Sequence, residues 1–188
     1  LFERHWAFDS DLYGYAQKLA RYHTEVSKPN ADRLRDYRDS NLESLDQELY
    51  ATAPIYPELE IARLTDSLSW LMQERGAEDP LVVKIMAGMS PRERATQLVR
   101  GTKIGDIAER KRLAAQGVGG STDPMIELAL LVDPTAREAQ KIYDEQVSEP
   151  LSQAYATLER ARFEKFGSRM APDATFTLRL SYGVVKGY

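Results

Sequence analysis

From Pro172 the chain runs PDATFTLRLSYGVVKGY, and this stretch limits the fold more than any other. Phe176, Leu178, Leu180, Tyr182 and Val184 alternate with Thr175, Thr177, Arg179, Ser181 and Gly183. The period of two and the β-branched and aromatic content read as a half-buried β-strand. Nearly everything before it reads as α-helix. A strand needs a partner for its backbone N–H and C=O groups, and even an isolated hairpin is only marginally stable. No second strand of comparable quality is visible. The expected fold is therefore mainly α, an irregular multi-helix bundle with one C-terminal strand left without its sheet. Residues 1–171 form the expected helical domain. Residues 172–188 form a strand of an absent sheet, so the chain reads as cut from something larger.

Composition narrows the function classes. The 188 residues suffice for one domain with a real core. Charged residues make up 29% and apolar residues 43%, the balance of a globular chain rather than a disordered one. A net charge of −4 with interspersed signs lacks the basic face that nucleic acid requires. With no cysteine there is no disulfide scaffold and no thiolate chemistry. No apolar run approaches the ~20 residues of a membrane span. The start, LFERHWAFDSD, lacks the basic and apolar regions of a signal peptide. In an internal piece that absence carries no information about destination.

Helix signals punctuate the body. Asp9 or Ser10 starts a first helix whose stripe is Leu12, Tyr15, Ala16, Leu19, Tyr22, His23 and Val26. Lys28-Pro29-Asn30 ends it, and Asn30 can cap a second helix carrying Leu34, Tyr37, Leu42, Leu45 and Leu49. After Ala53-Pro54-Ile55-Tyr56-Pro57, a third helix carries Leu59, Ala62, Leu64, Leu68, Leu71 and Met72. Asp79-Pro80, Ser90-Pro91, Asp123-Pro124 and Asp133-Pro134 repeat one device. The first residue's oxygen accepts an orphan N–H, and proline sits where its missing donor costs nothing. Ser90 with Glu93 adds a capping box. Short helices are expected near 80–87, 91–100, 104–115 and 124–132, with stops at Gly101 and Gly117. A long helix over 134–166, kinked at Pro150 and ended by Gly167, has an apolar face lined by Ala139, Ile142, Tyr143, Val147, Leu151, Ala154, Tyr155, Leu158, Ala161 and Phe166.

Residues with chemical potential have bland readings. His5 and His23 lack the surroundings of a catalytic base, and no H-E-x-x-H spacing suggests zinc. His23 reads as a packing or capping residue. No serine lies in G-x-S-x-G or S-x-x-K. The pairs Glu58 with Glu60 and Asp9 with Asp11 fit the charge density of solvated helices better than acid–base couples. Gly117–Thr122 lacks the lysine and the preceding strand of a phosphate loop, and reads as flexible. Tyr15, Tyr37, Tyr143 and Tyr155 are expected in the core. Tyr56, between two prolines, is expected to be partly exposed and free to touch a partner.

Three stretches, KPNADRLRDYRDSNLESL at 28–45, APIYPELEIARLTDSL at 53–68 and the final PDATFTLRLSYGVVKGY, carry a resemblance. They resemble the bacterial dipeptidyl-peptidase family with a chymotrypsin-like double β-barrel and an inserted helical domain, the forty-sixth family of serine peptidases. The last stretch is the most specific, since the family has a similar P-D-A-x-x-T-L-R-L-x-Y-G-x-V-K-G-Y segment where the chain returns to the barrel. The resemblance implies an enzyme that removes dipeptides from free peptide N-termini with a Ser-His-Asp triad on the barrels, without metal or cofactor. It implies that the helical domain covers the cleft so that only a chain end enters. The triad histidine and aspartate lie upstream of this region in the family, and the serine lies downstream in a G-N-S-G-S-P-like motif. No catalytic residue carries over to 1–188. The partners implied are the barrel domain and the peptide N-terminus, in a periplasmic or cell-surface enzyme.

Phe176, Leu178, Leu180 and Tyr182 would then be one face of a barrel strand. Alone they form a sticky edge, so a homodimer or aggregate through this strand, or its folding back over the helices, is expected. With Tyr56, these are the expected interaction residues. The alternative is a stand-alone helical module whose strand adds to a partner's sheet by β-augmentation.

Overall fold

The computed structural model describes residues 8–167, with Gly183 and Lys186. Those residues are mainly helical and include no strand. The strand expected from 172, with Phe176, Leu178, Leu180 and Tyr182, lies outside them, as do His5 and the expected boundary at 172. The helices are α1 (Asp11–Val26), α2 (Asp39–Leu49), α3 (Pro57–Arg75), α4 (Pro80–Met86), α5 (Pro91–Gly101), α6 (Ile107–Gln116), α7 (Pro124–Tyr143) and α8 (Glu149–Phe166). Short 3₁₀ turns at Asn30–Asp32 and Arg35–Tyr37 precede α2, and a π-helical segment, Asp144–Ser148, separates α7 from α8. The chain divides into two compact units, Leu1–Lys141 and Ile142–Tyr188.

In the first unit α3 packs chiefly on α5 and α1 on α6. Its core includes Leu12, Tyr13, Ala16 and Leu19 of α1, Leu64, Leu68 and Leu71 of α3, and Leu98, Leu113, Met125, Ile126 and Val132 farther on. Polar end groups set where these helices begin. Ser10 accepts from the Tyr13 N–H, and Asp79 accepts from the N–H groups of Leu81 and Val82. Ser90 and Glu93 form the expected capping box. Asp123 accepts from the N–H groups of Met125 and Ile126 at the start of α7. It also takes the Thr102 hydroxyl and the Lys103 N–H, so one carboxylate ties the end of α5 to the start of α7. Gly101 makes that approach possible, since a Cβ there would lie 2.9 Å from Pro124 Cγ.

Four expectations need correction. The second helix begins at Asp39, not at Asn30, because 3₁₀ turns take up 30–37. Asn30 still serves it at a distance: its Oδ1 accepts the Asp39 N–H at 2.9 Å. Asp133-Pro134 does not start a helix, for Pro134 lies inside α7. Ion pairs with Arg21 and Arg137 engage the Asp133 carboxylate, and buried Val132 and Ala136 hold the helix on either side. The buried stripe of α3 is Glu60, Ile61, Leu64, Leu68 and Leu71, while Leu59 is exposed. The face expected to bury α8 is open. Ile142, Tyr143, Val147, Leu151, Tyr155, Leu158 and Phe166 are all exposed, because α8 buries none of its residues within the described structure. Tyr37 is buried as expected, with its hydroxyl donating to the Lys18 carbonyl.

Candidate functional site

The first turn of α1 is where the first unit concentrates polar groups around open space. Ser10 is extended at the helix start, and α1 leaves its first N–H groups without helical partners. Glu60 answers them from α3. It is 2% exposed, takes the Ser10 hydroxyl at 2.6 Å and accepts the Leu12 N–H at 3.2 Å. A carboxylate at a helix N-terminus also meets the positive end of the helix dipole. One turn along α3, Arg63 reaches Glu60, Asp9 and Asp11. The hydrogen bond from Arg63 holds the Asp9 carboxyl below its ordinary range, and Asp9 in turn raises the Arg63 guanidinium.

A polar cleft of about 160 Å³ opens here, lined by Asp9, Asp11, Tyr15, Lys18, Glu48 and Arg63 among others. Lys18 pairs with Glu48 across it. Three carboxylates face two cations at its rim, so the cleft favours a small cationic group over an anion. Among the described residues it brings together no serine and histidine. Of the suspected couples, Asp9 and Asp11 both pair with Arg63, whereas Glu58 pairs with Arg100 and Glu60 serves α1.

A second, less polar groove of about 360 Å³ is lined by Leu12, Ala53, Ile55, Pro57, Val99, Thr102 and Gly105. The two-proline turn forms one of its sides. Tyr56 lies in that turn and is 62% exposed. Beneath the turn a cation is buried. Arg110, 1% exposed, donates from Nη1 to the Leu49 carbonyl at 2.6 Å. Its Nη2 reaches the carbonyls of Ala51 at 3.3 Å and Gly105 at 3.5 Å. Its Cζ lies 4.2 Å from the Tyr15 ring centroid, and it has no carboxylate partner among the described residues. The guanidinium thus fixes the chain leaving α2 on its way to the proline turn.

His23, the histidine among the described residues, is exposed in the last turn of α1 with its ring against Gly117. It makes no hydrogen bond to a serine or a carboxylate among the described residues. Those residues hold no group of three or more His, Cys, Asp or Glu side chains suited to a metal ion, and no helix long and apolar enough to cross a membrane.

The sequence reading missed Glu60, Arg63 and Arg110 as organisers of this region. A signal was present for two of them: Glu60 precedes Leu64 by four residues, and Arg110 precedes Leu113 and Ala114 by three and four, which puts each charge on an apolar stripe. Of the expected interaction residues Tyr56 lies in this region, and Phe176, Leu178, Leu180 and Tyr182 lie outside the described residues. Compared with known protein families, the chain matches the family model described as Peptidase S46 over residues 1–188.

Proposed function

The chain belongs to the peptidase S46 family, and from that premise we propose that it is the helical domain of a serine dipeptidyl aminopeptidase. In this reading it covers the catalytic cleft so that only a free peptide N-terminus enters. It carries none of the catalytic triad and is inactive alone. The observation that carries the reading is the match over the whole of 1–188 by a peptidase family, joined to a helical body in which His23 pairs with no serine or acid. A triad needs a base held by a third group and bonded to its nucleophile. The polar cleft supports a role in substrate approach, since its lining carries three carboxylates to two cations, an excess of the sign that an α-ammonium group requires. The proposed setting is a periplasmic or cell-surface enzyme whose barrel domain is this domain's partner.

Two measurements test it. The isolated chain, given fluorogenic dipeptidyl substrates, is expected to release no fluorophore. The native protein, detected with an antibody to this chain, is expected to be several times larger than 21.3 kDa. It should cleave those substrates until a serine-directed inhibitor is added. Inhibitor-sensitive cleavage by the isolated chain, or a native species near 21.3 kDa, would overturn the proposal.

A further inference from the structure

Two carboxylates tie α1 to its surroundings, and they do so unequally. Glu25, in the last turn of α1, is fully buried. One of its oxygens receives Lys28 Nζ at 2.7 Å and Arg137 Nη1 at 3.1 Å. The other accepts the Leu34 N–H at 3.0 Å. Asp133 of α7 takes Arg137 Nε at 2.6 Å and also pairs with Arg21 of α1. So α1 and α7 are joined through Asp133 as well as through Glu25. The segment that carries Lys28 and Leu34 has no share in the Asp133 pairs.

That segment has little else to hold it. No residue from 27 to 36 is buried, and Leu34 is half-buried against the core. The stretch folds upon itself instead. Arg33 donates from Nε to the Lys28 carbonyl at 2.9 Å and from Nη1 to Asp39, and the Asp32 N–H donates to the Pro29 carbonyl. Beyond it Tyr37 is buried, and its hydroxyl meets the carbonyl of Lys18, a residue that lines the polar cleft. Segments with few buried apolar contacts open locally, while the elements around them stay folded. A charged acceptor binds its donors more strongly than a neutral one, so the charge on Glu25 decides how firmly Lys28 and Leu34 are held. We propose that residues 28–36 are a strap, held shut by the Glu25 carboxylate and released as a unit when that group is protonated, while α1 and α7 stay joined through Asp133. The charged groups that face Glu25 are Lys28 from the strap and Arg137 from α7, with Asp133 and Arg21 behind Arg137. Both facing cations keep their charge in acid, so Glu25 is the member of this contact that switches. Burial raises its carboxyl, but Lys28, the Leu34 N–H and Arg137 bring it below its ordinary 4.5. The strap is therefore shut at neutral pH and loses its hold as pH falls below about 4.5.

Amide hydrogen exchange, resolved residue by residue by NMR in the full 188-residue chain, reads the strap directly. The Asp32 and Leu34 N–H groups are its reporters, since both are bonded only while it is shut. Glu25→Gln keeps the side chain's shape and removes its charge. At neutral pH it should speed exchange at both reporters by about ten- to a hundredfold, the range expected for lost charged hydrogen bonds. Amides in the middle of α1 and α7 should keep their wild-type rates. In the wild type, the reporters' exchange relative to that of an unstructured chain at the same pH should rise as pH falls below about 4.5, and in Glu25→Gln it should not. The wild-type titration keeps the test open where Glu25→Gln fails to fold. Reporter protection that is unchanged both in Glu25→Gln and in acidified wild type would overturn the strap. So would an equal loss of protection across α1 and α7, which would mean that Glu25 holds the whole unit and not this segment.

Discussion

Arg110 offers the sharpest test of how this helical body is held. Among the described residues its guanidinium is buried without a carboxylate, and its Nε meets no hydrogen-bond acceptor. Taking a cation out of water costs several kcal/mol after relaxation, and here only carbonyl dipoles and the Tyr15 ring repay it. The bond to the Leu49 carbonyl is short at 2.6 Å and ends α2, where the helix dipole favours a cation. A charged hydrogen bond of that kind contributes about 1.5–3 kcal/mol net. The ring contact adds about 0.5–2 kcal/mol. The contacts to Ala51 and Gly105, at 3.3 and 3.5 Å, are long and add little. Arg110→Met keeps most of the stem packing, removes the charge and leaves the Leu49 carbonyl without this donor. Weighing that loss against the recovered desolvation, the expected destabilisation is about 1–3 kcal/mol. Arg110→Ala opens a cavity as well and should cost about 3–5 kcal/mol. Arg110→Lys keeps a charge but loses the planar fork, and should be no more stable than Arg110→Met. Urea unfolding followed by far-ultraviolet circular dichroism reads all three. An Arg110→Met variant as stable as the wild type would show that the carbonyl clamp does not offset the buried charge. An Arg110→Lys variant more stable than Arg110→Met would show that charge, not fork geometry, matters.

Gly101→Ala should destabilise by about 1–3 kcal/mol despite alanine's better helix propensity, because its Cβ would lie 2.9 Å from the rigid Pro124 ring; thermal melting reads the sign. Ser90→Ala breaks the capping box at α5 and should cost about 1 kcal/mol in urea unfolding, with Ser90→Thr costing much less. Burial raises the Glu25 carboxyl, but Lys28, the Leu34 N–H and Arg137 together bring it below its ordinary 4.5. A lowered folded-state value means that its contribution is present above about pH 4.5 and is lost as pH falls below that. The urea midpoint should therefore hold down to about pH 5 and then drop, more gently in Glu25→Gln; equal acid slopes for the two proteins would refute the assignment.

The legible parts of this fold were its ends. Asp79, Ser90 and Asp123 cap where their Asp-Pro or Ser-Pro pairs place them, because capping is decided by a few adjacent atoms. Asp133-Pro134 is the same dipeptide with a different outcome, since a side chain can accept from its own backbone or from a distant guanidinium but is placed by whichever the tertiary structure brings. Arg21 lies 112 residues away in sequence, and no local rule foresees it. The burial of Glu60, Glu25 and Arg110 escaped the sequence for a related reason. Each is buried because it meets an N–H, a carbonyl or an opposite charge on another helix, and the burial of a charge is a property of the pair.

The α8 face was misread in the opposite direction, and that error has a consequence for function. Hydrophobic periodicity states that a face is suited to being covered. It does not state by what. Leu151, Tyr155 and Leu158 are each more than half exposed, and they follow one another at helical spacing along α8. Scattered apolar side chains on a surface need no explanation, but a contiguous apolar stripe marks a place of contact. In the proposed enzyme a helical domain must meet a barrel domain over some surface, and this stripe is suited to that role. Charge placed there should act on assembly rather than on the first unit's core. Leu158→Glu is accordingly expected to leave the unfolding of residues 1–141 unchanged while weakening association with the rest of the native enzyme, read by co-purification. An unfolding transition of the first unit that moved with Leu158→Glu would mean that the stripe serves the core it was first read as joining.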